Sequence, residues 1–204
     1  MKEDRIRQLS LSGVVGAGGA GFPAHVKLNA KADVVIINGA ECEPLLRADQ
    51  QLMERYPARL LEAVGMIMEQ VGAKEGVIAL KEHYHGAVAA LQKALQKDQN
   101  IRIHTMGSFY PAGDEHVLVY EVTGRIVPEG GIPLNCGAVV TNVETALNIL
   151  NTWKHEMPVV DSYLTVTGAV REPKTIKLPI GTPIKEAIAR AGAHASPTSS
   201  FCVP

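Results

Sequence analysis

Apolar positions in this chain change their period several times, and each change marks an element. Ile6 and Leu9 fall on one side of a polar opening stretch, so residues 1–12 read as a short helix. The segment ADVVIINGAE contains a compact apolar run, Val34 to Ile37, of the kind that forms a strand buried on both faces. Residues 49–72 carry Leu52, Leu60, Leu61, Val64, Ile67, Met68 and Val71 at helical spacing, with Pro57 as the expected break. GVIALK (76–81) is a second buried strand, and His83 to Gln96 is a helix with Val88, Leu91 and Leu95 inward. Ile101 to Thr105 alternates as a strand does, and a helix follows Tyr110–Glu115 toward Val122. CGAVVTN (136–142) predicts a strand that leads into the helix ETALNIL. Strands alternating with helices imply an α/β layered domain.

The pattern differs after about residue 160. YLTVTGAV and TIKLPI alternate apolar and polar positions around a turn at Arg171–Lys174, which predicts a β-hairpin. Thr182 then reads as a helix cap, with Pro183 at the first position and Gly192 past the end. Hairpin then helix is how a β-grasp module opens. The expected division is therefore 1–155 for the α/β domain and 160–204 for a partial β-grasp. The chain stops at Pro204 before such a module would close, so it reads as a fragment or a truncated form.

Composition narrows the function classes. Hydrophobic residues make up 46% and charged residues 20% of 204, which is globular. Lys+Arg 20 against Asp+Glu 21 leaves no basic excess for nucleic acid or anionic lipid. No apolar run approaches the ~20 residues that cross a bilayer. The start MKEDRIRQLS does not resemble a signal peptide. Cys42, Cys136 and Cys202 are odd in number and far apart, which argues against a disulfide framework or an iron–sulfur or zinc site in these residues. The expected setting is reducing and cytoplasmic.

Four clusters could carry chemistry. The first, Gly13 to Pro23, has five glycines in nine residues and spells Gly16-Ala-Gly18-Gly19-Ala-Gly21. Glu41 lies 20 residues beyond Gly21, as the ribose acid of a dinucleotide fold would. Only Leu11 to Val15 precede the loop, however, where a dinucleotide fold needs a strand. The readings left open are a dinucleotide loop, a glycine-rich turn without ligand, and a different nucleotide or flavin cradle. The second cluster is Asn38-Gly-Ala-Glu41-Cys42-Glu43-Pro44 at a strand end; its carboxylates either cap the next helix or line a site, with Lys27 available to offset their charge. The third is Tyr110-Pro-Ala-Gly113-Asp114-Glu115, where acids enter a helix. The fourth is Val140-Thr141-Asn142-Val143-Glu144-Thr145, a strand-to-helix junction suited either to capping or to a phosphate.

Taken together, GAGGAGFPAHVKL, NGAECEP, YPAGDE and VTNVET occur in this order and resemble the FMN-binding domain of the large flavoprotein subunit of respiratory complex I. ECEP brings the chain nearer the RnfC-type relatives, and ECEPLLRADQQLM is most similar to the PduS-like cobalamin-reductase branch. The likeness covers roughly residues 10–150, and the β-grasp (SLBB-like) start sits where those families place theirs. The resemblance implies a layered FMN-binding α/β domain that oxidises NADH through FMN. Gly16, Gly18 and Gly19 would wrap FMN and the nicotinamide nucleotide, beside Lys27. Asn38, Glu41 and Glu43 would line the same pocket. Tyr110, Asp114 and Glu115 would face the nucleotide, and Thr141, Asn142 and Thr145 would hold the FMN phosphate or ribityl end.

The sequence departs from the complex I pattern at three places. The loop arginine of that pattern is Ala17 here, its second-motif aspartate is Ala40, and its following glycine is Cys42. The expected effect is on how FMN and NADH bind rather than on the fold. The downstream cysteine-rich segment of the RnfC-type relatives has no counterpart here, so iron–sulfur clusters belong to a missing C-terminal part or a partner. The expected partners are NAD(H) and an iron–sulfur or corrinoid redox protein, in a membrane complex or a microcompartment. The competing reading is a non-catalytic adaptor that keeps the fold without the flavin.

Overall fold

In the computed structural model, which describes residues 2–192 and 201–202, the polar opening stretch is helix α1 (Lys2–Leu11), with Leu9 turned inward. The glycine-rich segment follows and ends in the four-residue helix α2 (Ala24–Lys27). Then come β1 (Val34–Gly39), α3 (Ala48–Arg55), α4 (Pro57–Val71), β2 (Glu75–Lys81), α5 (His85–Ala94), β3 (Ile101–Met106) and α6 (Glu115–Thr123). A 3-10 turn, Pro133–Cys136, leads into β4 (Ala138–Asn142) and α7 (Val143–His155). The second unit holds β5 (Asp161–Gly168), β6 (Lys174–Pro179), α8 (Ile184–Arg190) and β7 (Phe201–Cys202). The expected module's residues 193–200, 203 and 204 lie outside the described residues.

Strands β3-β2-β1-β4 form one sheet with every pair parallel. The apolar run of β1 is buried on both faces because helices cover both. Val35 and Ile37 join the core under α4, α5 and α7, whereas Val34 and Ile36 pack with Leu118, Val119 and Val122 of α6. Tyr56 separates α3 from α4 with φ −128° and ψ 43°, since a residue before proline is held out of the helical region. In the second unit β5 pairs antiparallel with both β6 and β7, and Val166, Leu178, Ala187 and Ala191 make its core.

Two local expectations are corrected. The strand expected from Cys136 begins at Ala138, because Gly137 ends the 3-10 turn in the left-handed region at φ +70°. A Cβ there would stand 2.6 Å from Asp33 Oδ2. Thr182 does not cap α8. Its hydroxyl donates back to the Pro179 carbonyl (2.7 Å), and Pro183 takes the N-cap position with no side-chain bond.

The two units meet through polar contacts and the packing of Tyr163 on the main core. Arg47 N donates to Thr165 Oγ1 (3.1 Å) and Tyr163 N to Glu144 Oε1 (3.1 Å), while in the connection between them Val159 N donates to the Ser12 carbonyl (2.9 Å).

Candidate functional site

Strand order runs outward from β1 to β3 and then jumps back to β4, leaving β4 as a free edge. Crevices for ligands open near such a reversal. Here a cleft of about 530 Å³ lies along β4, with the glycine loop and α2 as its opposite wall.

The loop is built as a small hairpin. Val15 pairs with Pro23, Gly16 N donates to Phe22 O (2.9 Å), and Ala24 N to Val14 O (3.0 Å). Its tip is tied across the cleft, where Ala17 N donates to Thr145 Oγ1 (2.9 Å). Gly19 and Gly21 sit at φ +107° and +62°, which only glycine adopts freely. Gly18 faces Asn142, which a Cβ would approach at 3.7 Å. The loop precedes β1 and follows a helix, so the dinucleotide-fold reading of GxGxxG does not hold.

Lys27 reaches from α2 across the cleft. Its Nζ donates to Val140 O on the β4 edge (2.8 Å) and to Glu115 Oε1 (3.0 Å), and lies 5.8 Å from the Phe22 ring centre. Asn38 joins the second cluster to the third: Nδ2 donates to Gly113 O (2.8 Å) while Oδ1 accepts from Ala40 N (3.1 Å). Gly113 N in turn donates to Cys42 Sγ (3.0 Å). A Cβ on Gly113 would fall 2.2 Å from Ala40 O. Asp114 caps α6, accepting from His116 N (2.9 Å) and Val117 N (3.1 Å). Asn142 caps α7, accepting from Glu144 N (2.9 Å) and Thr145 N (3.3 Å), and its Nδ2 donates to Asp49 Oδ2 (2.6 Å).

Of the residues singled out in the sequence, Gly16, Gly18, Lys27, Asn38, Asp114, Glu115, Thr141, Asn142 and Thr145 line this cleft. Gly19 belongs to the loop but not to the lining. Glu43 is exposed, and so is Tyr110 at 79%. Glu41 is turned away: its carboxylate accepts Asp49 N (3.1 Å) and Gln50 N (3.3 Å) at the start of α3. Of the four acids expected around the pocket, the cleft therefore holds two, Asp114 and Glu115.

Behind Asn142 sits a group of acids, Glu41, Asp49 and Glu144, of which Asp49 lies outside the four clusters of the sequence. Burial pushes the Asp49 carboxyl up to about 8, with the nearby Glu41 charge adding to it. Burial also raises Glu41 and Glu144, and raises Tyr84 to about 12. Asp49 stands in the run ECEPLLRADQQLM, four residues after Leu45, but nothing local says which acid turns inward. Among the described residues no His/Cys/Asp/Glu group is placed to hold a metal ion. No helix there is long and apolar enough to cross a membrane.

The family model for the Nuo51 FMN-binding domain matches residues 9–151, and that for the SLBB domain matches 163–199. Cobalamin reductase PduS of Salmonella typhimurium is 48% identical over 193 residues, 94% of this chain and 42% of its own length. A component of the Na(+)-translocating ferredoxin:NAD(+) oxidoreductase complex of Acetobacterium woodii is 39% identical, over 96% of this chain and 46% of its own length. The chain thus spans under half of these curated relatives. A crystal structure of an NAD+-reducing [NiFe]-hydrogenase in the H2-reduced state shares the fold with a TM-score of 0.80 at 22% identity, over 95% of this chain and 39% of that one.

Proposed function

Because this chain belongs to the Nuo51 FMN-binding domain family, we propose that it is the flavin-bearing part of an oxidoreductase that takes electrons from NADH and passes them to an iron–sulfur or corrinoid partner. The observation that carries the reading is the glycine loop pinned across the cleft by the Ala17–Thr145 hydrogen bond. Its Gly16, Gly18 and Ala20 line a space of about 530 Å³, within the range of cofactor pockets, and the missing side chains let a ligand come close to the backbone.

The donor set fits a phosphorylated, ribityl-bearing ring. The Thr145 hydroxyl accepts from the loop and keeps its own proton to donate. Asn142 spends one amide hydrogen on Asp49 and keeps the other. Lys27 supplies a cation, and Thr141 a second hydroxyl. Asn142 already occupies the Glu144 and Thr145 amides at the start of α7, so a phosphate is held by the side chains of Thr145, Asn142, Lys27 and Thr141 and by the loop rather than by the helix end. Asp114 and Glu115 offer acceptors for ribose hydroxyls or a carboxamide. When bound, FMN supplies the conversion of hydride to single electrons, and the protein supplies positioning and charge.

The test is anaerobic addition of NADH to FMN-loaded protein. Bleaching of the flavin absorbance band is expected; flavin that stays oxidised removes NADH from the proposal. A second reading, the flavin-free adaptor, draws on the protein groups that seal the start of α7. It is distinguished by a colourless protein that FMN does not reconstitute.

A further inference from the structure

Asp49 joins two helix starts and the cleft. Its backbone N–H goes to Glu41 at the head of α3, and its carboxyl takes the amide of Asn142, the cap of α7 (2.6 Å). Asn142 is also the side chain that Gly18 packs against. The Asn142 oxygen is fixed by the α7 cap, so its amide nitrogen has one anchor, Asp49.

The charges around that anchor are unbalanced. Glu41, in the segment after β1, and Glu144, on α7, are two buried acids beside the half-buried Asp49. No Lys or Arg forms an ion pair with any of the three among the described residues. The remaining groups facing the cluster are Cys42 and Arg47 on the same connection, Tyr84 before α5, and Lys81 on β2, whose Nζ is spent on the Glu41 carbonyl (2.5 Å). Beyond Glu144 stand Tyr163 and Lys177 of β5 and β6, with Lys177 paired to Asp161 (2.8 Å) and Tyr163 meeting Tyr56 from the start of α4.

We propose that Asp49 is a positioning residue of the cleft, holding Asn142 against the glycine loop, and that it does so in its protonated form. The flavin half of this inference rests on the function proposed above. The protonation half does not.

The sign follows from linkage. Burial of its carboxyl, with the nearby Glu41 charge, pushes Asp49 from an ordinary 3.8 up to about 8, so the folded state holds the proton more tightly. Stability therefore falls as pH rises between those values. Asp49→Asn keeps the neutral shape and removes the fall.

Two measurements test this. In flavin-free protein, the Asn142 side-chain amide resonances should shift with a midpoint near pH 8, and should not shift in Asp49→Asn. The melting temperature of Asp49→Asn should match wild type at about pH 4 and exceed it progressively toward about pH 8. With FMN, wild type should lose affinity about tenfold through the same range, Asp49→Asn should hold its affinity, and Asp49→Ala should bind about tenfold more weakly at every pH. An Asp49→Asn profile identical to wild type, or wild-type affinity in Asp49→Ala, overturns the proposal. If no form binds FMN, the functional reading fails, and the amide resonances alone decide for or against Asp49.

Discussion

Gly113 shows how tightly the site is assembled at the scale of one residue. Its neighbours leave no room for a methyl group, with Ala40 O at 2.2 Å and Cys42 Sγ at 2.8 Å from where one would stand. Overpacking of this kind costs about 1–3 kcal/mol. Gly113→Ala should therefore lower the melting temperature by several degrees and loosen the Asn38 bond, while Gly107→Ala, whose Cβ would meet only the Phe109 ring at 4.0 Å, should be close to neutral. Equal melting curves for both variants would contradict the packing. Sequence reading finds Asn38, Lys27 and Asn142 because they sit at strand ends and beside a glycine loop. It leaves Glu41 between capping the next helix and lining the site, because spacing alone cannot say which way a carboxylate turns. The bare amides at the head of α3 decide that, and two of them fall within hydrogen-bond reach of Glu41.

The elements are more legible than their ends. Apolar runs such as Val34 to Ile37 and Val77 to Leu80 announce the parallel strands, and helical spacing announces α4 and α7. The α2 helix is four residues long and carries no period that could reveal it. At the head of α7 the two readings of the fourth cluster, capping or ligand binding, meet in one residue. Asn142 caps the helix and lines the cleft. Losing an N-cap costs about 0.5–2 kcal/mol. Asn142→Ala should cost at the upper end of that range, because Asp49 also loses its donor. The same variant should weaken FMN more than NADH, and Glu115→Gln should weaken NADH more than FMN. Calorimetric titration of both variants with both ligands checks this, and equal losses in all four cases would reverse the assignment of the two ends of the cleft.

At the scale of the molecule, the order of the four motifs along the chain carries the fold, and the structure explains why. The motifs occupy the glycine loop, the end of β1, the start of α6 and the end of β4, places distant in sequence that the sheet order gathers at one cleft. The join between the two units is not legible in the sequence, since it combines single polar contacts such as Tyr163 N to Glu144 with the packing of the Tyr163 side chain against the main core. Only the three-dimensional path creates those. The cleft is the centre of the functional reading, and titration of the purified chain with FMN, followed by quenching of flavin fluorescence, tests it most directly. Saturable quenching at one FMN per chain is expected, lost in a Gly18→Val variant that still melts like wild type because its Cβ meets Asn142 only at ordinary contact distance. Flavin fluorescence that stays unchanged over folded wild-type protein, or full affinity in the folded Gly18→Val variant, would contradict it.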